Sequence, residues 1–123
     1  MRSDYRLKSL ENAQKYGAVR FVHQSEEEFS KILDFYQIQW EYEPKTFPLR
    51  WDEKGNLIEC FSPDFYLPAF NTFIEITTCR QRLINKKKKK LKLFKELYPY
   101  NKILLIKNSD FHHLMWKYGI QSQ

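Results

Sequence analysis

Residues 61 to 78, reading FSPDFYLPAFNTFIEITT, constrain the fold more than any other stretch of the chain. Phe65, Tyr66 and Leu67 read as a strand, Pro68-Ala69-Phe70-Asn71 carries turn chemistry, and Thr72 to Thr77 is rich in β-branched residues, so the segment predicts a tight hairpin. Asp64 stands beside Pro63 at the start of the first strand and Glu75 lies inside the second, with ten residues, Phe65 to Ile74, between them. A hairpin of this kind lets the two carboxylates meet on one face. An apolar strand tolerates such a pair only if something offsets the charge, and a divalent cation is the natural offset.

The rest of the chain sets the boundaries. A length of 123 residues predicts one domain, 1–123, with a core of useful size and a helical arm over 1–19. The net charge of +6 favours a polyanionic partner, and nucleic acid before membrane, because no apolar run of membrane-spanning length accompanies the charge. Cys60 and Cys79 have no CxxC spacing and no histidine cluster nearby, which predicts reduced, buried or half-buried thiols. The first residues, MRSDYRLKSLENAQ, lack the apolar core of a secretory signal, so the expected location is the cytoplasm.

Taken in order, residues 3–16 predict a helix capped by Ser3 or Asp4 and stopped by Gly17, with a thin apolar stripe from Leu7 and Leu10. A second helix is expected from Ser25 to Tyr36, opened by a Ser25–Glu28 capping box. At about 100° per residue, Phe29, Ile32, Leu33 and Tyr36 form its inward stripe, Glu27 points away, and Glu26 lies at the edge. Glu26 is the one acid of this turn without a capping or solvent role, although complementing the positive helix end is the plainer explanation of it.

Ile38–Tyr42, Phe47–Trp51, Leu57–Phe61 running on into Phe65–Leu67, and Phe73–Thr77 then predict an antiparallel meander, with a glycine-containing turn at residues 52–56. A third helix is expected over 80–98, stopped by Pro99, and it contains the run Lys86 to Lys90. Leu83, Ile84, Leu91, Phe94 and Tyr98 share roughly 100° of its arc, with Lys87 and Arg80 near the centre, Lys90 at the rim, and Lys86 and Lys89 outward. A lysine within a sheet-facing stripe must reach an anion: Asp64, Glu75 or a bound phosphate. Lys102–Ile106 predicts a strand parallel to the Glu75 strand across a βαβ crossover, and Asn108 to Tyr118 predicts a closing helix with His112 and His113 toward solvent.

This ordered set resembles the PD-(D/E)XK, or restriction-endonuclease-like, nuclease superfamily, over roughly residues 20 to 106. Pro63-Asp64 corresponds to the first half of the motif and Glu75-Ile76-Thr77 to the second, with Thr77 where the family usually carries lysine. The resemblance implies an α/β (α+β sandwich) fold with a mixed sheet flanked by helices, and a Mg2+-dependent endonuclease, Mn2+ able to substitute. Asp64, Glu75 and the Ile76 carbonyl would be ligands, and Glu26 would bind directly or through a water. Some members carry the lysine on the following helix, which implies a catalytic role for Lys87, with Thr77, Arg80 and Lys90 as further candidates. Outward Lys86, Lys88, Lys89, Lys92 and Lys95 would then contact DNA phosphates. Among stand-alone enzymes of this size and architecture the chain resembles small Holliday junction resolvases and phage-type or repair endonucleases, which implies a branched substrate and a homodimer, with Trp40, Trp51 or Trp116 available to an interface. Two other classes compete: a non-catalytic nucleic-acid-binding module with a lapsed site, and a structural subunit docking an acidic protein.

Overall fold

Alternate side chains along the 65–76 hairpin point to opposite sides, and apolar residues stand on both, so the strands must be covered on two faces. The computed structural model describes residues 19–77 and 81–117. In chain order these form helix α1 (Gln24–Phe35), strands β1 (Glu41–Tyr42), β2 (Phe47–Trp51), β3 (Leu57–Phe61) and β4 (Phe65–Leu67), a 3-10 turn (Pro68–Phe70), strand β5 (Thr72–Ile76), helix α2 (Gln81–Leu97), strand β6 (Lys102–Ile106) and helix α3 (Asn108–Lys117). The helix expected over 3–16, together with Cys79 and Arg80, lies outside the described residues. None of the described helices is long and apolar enough to cross a membrane.

The architecture is mixed α/β. One sheet has the order β1-β4-β5-β6, antiparallel except for β6, which runs parallel to β5 after the α2 crossover. The continuous meander expected from the sequence is corrected here, because β2 and β3 pair only with each other and β1 lies beside β4. Proline chemistry supplies the reason. Pro63 offers no N–H to a ladder and is fully buried, so β3 stops at Phe61 and the chain is re-aimed before β4. On the other side, Glu43 adopts a left-handed φ of 43° ahead of Pro44, which turns the chain out of the sheet after β1.

Each face of the sheet has its own core. Phe65, Leu67, Ile74, Ile76 and Ile106 face α1 and α3, where Phe29 meets the Phe65 ring at 5.1 Å and the Phe111 ring at 4.8 Å. Phe73 and Ile103 face the opposite way, toward α2 and the β2–β3 hairpin. There Phe94 is packed by Phe47, Phe61 and Tyr98, and the Tyr98 hydroxyl donates to the Pro48 carbonyl at 2.7 Å, fixing the hairpin to the end of α2.

Local chemistry explains the boundaries. The 52–56 turn closes as expected: Asp52 accepts the Lys54 and Asn56 N–H groups at 2.9 and 2.8 Å, and Gly55 takes φ 84°. Asn71 ends the 3-10 turn in the left-handed region that asparagine tolerates. At α1 the expected Ser25 cap is replaced by His23, which makes no side-chain cap bond, and Glu28 accepts from Gln24 instead. The helix begins one residue early because Glu26 and Glu27 N–H both reach the His23 carbonyl.

Truncating Phe94 to alanine should cost about 3–5 kcal/mol by opening a cavity under four aromatic neighbours, whereas Trp116→Ala, on a residue 82% exposed, should stay within about 0.5 kcal/mol. Urea unfolding of the two variants beside wild type checks both values.

Candidate active site

The register of β4 against β5 pairs Phe65 with Ile74 and Tyr66 with Phe73. Continued one step, it sets Asp64 opposite Glu75 just beyond the ladder. There the side chains take over the pairing. The Asp64 N–H donates to Glu75 Oε1 at 3.1 Å, and the Ile76 N–H donates to Asp64 Oδ2 at 2.8 Å. On its other edge Asp64 is held by the Glu43 N–H, which donates to its carbonyl at 2.9 Å. Both carboxylates are buried, and alternation puts them on the α2 side of the sheet with Tyr66 and Phe73.

Lys87 arrives from α2. Its Nζ lies 3.2 Å from Glu75 Oε2 and donates to the Ile76 carbonyl. The helical phase that singled it out among five consecutive lysines therefore places it on the acidic pair, while Lys86, Lys88, Lys89, Lys92 and Lys95 are exposed and Lys90 is half-buried at the rim. Thr77 is buried at the end of β5, its N–H donating to the Ile106 carbonyl at 2.8 Å.

Glu26 comes from the opposite layer. It is buried at the start of α1 and accepts a 2.5 Å hydrogen bond from the Tyr42 hydroxyl, which itself accepts the Val22 N–H at 3.2 Å. Its charge is nevertheless felt at Asp64 and Glu43. Among the described residues, no three His, Cys, Asp or Glu side chains form a closed ion cage. Asp64 and Glu75 form a bonded pair, whereas Glu26, bonded to Tyr42, acts on Asp64 only through its charge.

Burial dominates the electrostatics. It pushes the Asp64 carboxyl far above its ordinary value, assisted by the Glu75 charge and, more weakly, by Glu26, while the Ile76 N–H and Lys87 pull it down. Glu75 is raised for the same first reason and lowered by Lys87 and by its bonds to Asp64. Glu43 is raised by partial burial and then by the charges of Glu26 and Glu75. Tyr42 is raised by burial and by its bond to Glu26.

Tyr42 and Glu43 are the site residues that sequence reasoning did not single out. Within Trp40-Glu41-Tyr42-Glu43-Pro44, the two-residue alternation that orients Tyr42 toward α1 was visible, but the positive φ that leaves Glu43 at the site edge was not. Elsewhere, Trp40 is buried and donates to Asp34 at 2.9 Å, which removes it from any interface. Cys60 is exposed, not buried, because β3 turns Phe61 inward and Cys60 outward. His112 and His113 are exposed as expected, with His112 Nδ1 within 2.7 Å of the Tyr36 hydroxyl.

Comparison with protein-family models, curated proteins and solved structures returned no match.

The raised Asp64 carboxyl binds a proton more tightly in the folded chain than in the unfolded one, so its contribution is least unfavourable at low pH and grows more unfavourable as pH rises above the ordinary carboxylate range. Asp64→Asn keeps an oxygen for the Ile76 N–H and removes the charge. Its Tm in metal-free buffer should exceed that of wild type by a few degrees at pH 8, and the gain should vanish near pH 4. Thermal melts across that range check the sign.

Proposed function

We propose that this chain is a metal-dependent endonuclease that hydrolyses DNA phosphodiester bonds, with a restriction-endonuclease-like core and a preference for branched DNA. The observation that carries the reading is the position of the Lys87 ammonium on the buried Asp64–Glu75 pair. That is where a nuclease of this type needs its lysine, and Thr77, at the usual position, offers only a hydroxyl.

The donor set fits a hard divalent cation such as Mg2+: two buried carboxylates that repel each other, and the Ile76 carbonyl beside them, all oxygen ligands. Asp64, Glu75 and Ile76 would hold the ion, with Glu26 binding it directly or through a water. When bound, such an ion lowers the pKa of a water and neutralises charge on the phosphoryl oxygens. The chain's own groups supply the rest. The Asp64–Ile76 and Glu75–Asp64 hydrogen bonds hold both carboxylates in fixed orientation, and Tyr42 does the same for Glu26. Lys87, whose flexible side chain is about a third exposed, orients the attacking water and steadies the negative charge on the phosphoryl oxygens. Lys90, three residues further along α2 and half-buried, is a second cation on that side of the helix.

Lys86, Lys88, Lys89, Lys92 and Lys95 are all exposed along α2 and give a phosphate-binding face that does not read sequence. A homodimer would align two such sites for paired cuts.

Cleavage of a labelled four-way junction and of matched linear duplex in Mg2+ or Mn2+ tests the reading. Wild type should cut the junction in pairs. Asp64→Ala and Glu75→Ala should abolish cutting, and Lys87→Ala should slow it by about a hundredfold or more. Cutting of all duplexes alike would retain the nuclease and remove the junction preference, whereas junction binding without cutting would leave a nucleic-acid-binding module with a lapsed site. In a separate titration of binding against salt, replacing two of the five exposed lysines by alanine should flatten the log–log slope by about 0.9 for each phosphate that is no longer neutralised.

A further inference from the structure

A buried carboxylate pair sheds charge by holding a proton or by meeting a cation, and this chain brings a cation of its own to the pair. The Lys87 ammonium lies 3.2 Å from Glu75 Oε2 and donates to the main-chain carbonyl of Ile76. These are two of the oxygens assigned above to a divalent ion. Glu75 and Ile76 are both buried, so the ammonium meets buried oxygens, while the Lys87 side chain as a whole is about a third exposed.

We infer that Lys87 is a tethered cation that fills the metal-binding oxygens of the metal-free protein, and that a divalent cation enters by displacing it. The inference rests on the reading of this site as a metal site and adds how its occupancy is regulated.

Two cations cannot use the same oxygens. An Mg2+ ion sits about 2.0–2.1 Å from its ligands, which would leave the ammonium and the ion in contact with the same carbonyl and facing each other with like charge. The ammonium has somewhere to go, because lysine has a four-carbon stem and strong affinity for water, and the Lys87 side chain as a whole is about a third exposed. Asp64 and Glu75 have no such freedom: each is held by a main-chain N–H of the opposite strand. Lys87 therefore moves while the ligands stay. The arrangement serves two ends. Without metal, the pair is neutralised in part and the hairpin end stays closed. With metal, the ammonium is released beside the ion, free to meet a phosphate or a water, so that the catalytic lysine becomes available only in a loaded site.

The test follows the side-chain NMR resonance of Lys87 in wild-type protein during Mg2+ titration, with Mg2+ affinities measured by calorimetry for wild type, Lys87→Met and Lys90→Met. Lys90→Met removes a charge from the same helix without the contact to Glu75, and so reports the through-space effect of removing a charge. The Lys87 resonance should move to the position of exposed lysines as Mg2+ binds. Lys87→Met should bind Mg2+ about tenfold more tightly than either comparison protein, the change expected when one charge-assisted hydrogen bond no longer has to be broken. Both effects should disappear in Asp64→Asn.

A Lys87 resonance that stays in place while Mg2+ binds would overturn the inference, and so would a Lys87→Met protein that binds no more tightly than Lys90→Met. The resonance experiment needs no variant, so it decides the matter even if Lys87→Met does not fold. Absence of Mg2+ binding at millimolar concentration would remove the metal site and the inference together. Displacement of Lys87 without cleavage of any nucleic acid would leave the inference standing and remove the nuclease.

Discussion

Two hydrogen bonds hold the centre of this protein together: the Asp64 carboxylate accepts the Ile76 N–H, and the Glu75 carboxylate accepts the Asp64 N–H. Each side chain completes the ladder for the opposite strand just before β4 begins. A main-chain bond would do that at less electrostatic cost, since both carboxylates are buried, burial raises the proton affinity of each, and the Glu75 charge raises that of Asp64 further. Buried charge of this kind persists where the surrounding structure over-determines it, and such sites are candidates for function on physical grounds.

The rest of the fold is arranged to meet that constraint. The βαβ crossover lays α2 over the face that carries the pair, and its 3.6-residue period brings Lys87 inward between outward lysines. Phe47, Phe61 and Phe73 pack around Phe94 of α2 and so seat the helix that carries Lys87 on this face of the sheet. From the far layer, α1 contributes Glu26, held by Tyr42 on β1. Three elements distant in sequence thus place one acid, an acid pair and a cation around the end of a single hairpin.

Much of this was legible in the sequence, and where it was not, the reason is specific. The bounds of β2, β3, β4 and β6 follow from apolar alternation and turn residues, and α2 from its stripe and Pro99. The selection of Lys87 needed only helical phase, because a charge within an apolar arc must find a counter-charge. The order of strands in the sheet was not legible. Pairing partners are chosen by long-range packing, and neither the burial of Pro63 nor the left-handed Glu43 backbone shows in local pattern. The same holds for the His23 cap, where Ser25 has the better intrinsic preference and the first-turn N–H groups settle on another carbonyl.

Sequence alone, then, determined which residues would form the hairpin, that Asp64 and Glu75 would share one face of it, and that Lys87 would look inward, because periodicity and charge burial are local rules. Tertiary structure decided what those residues touch. It joined β1 to β4, detached the β2–β3 hairpin, tied Glu26 to Tyr42, and set Lys87 on Glu75 and the Ile76 carbonyl. Such contacts depend on the angles at which whole elements pack, and no local pattern encodes those angles.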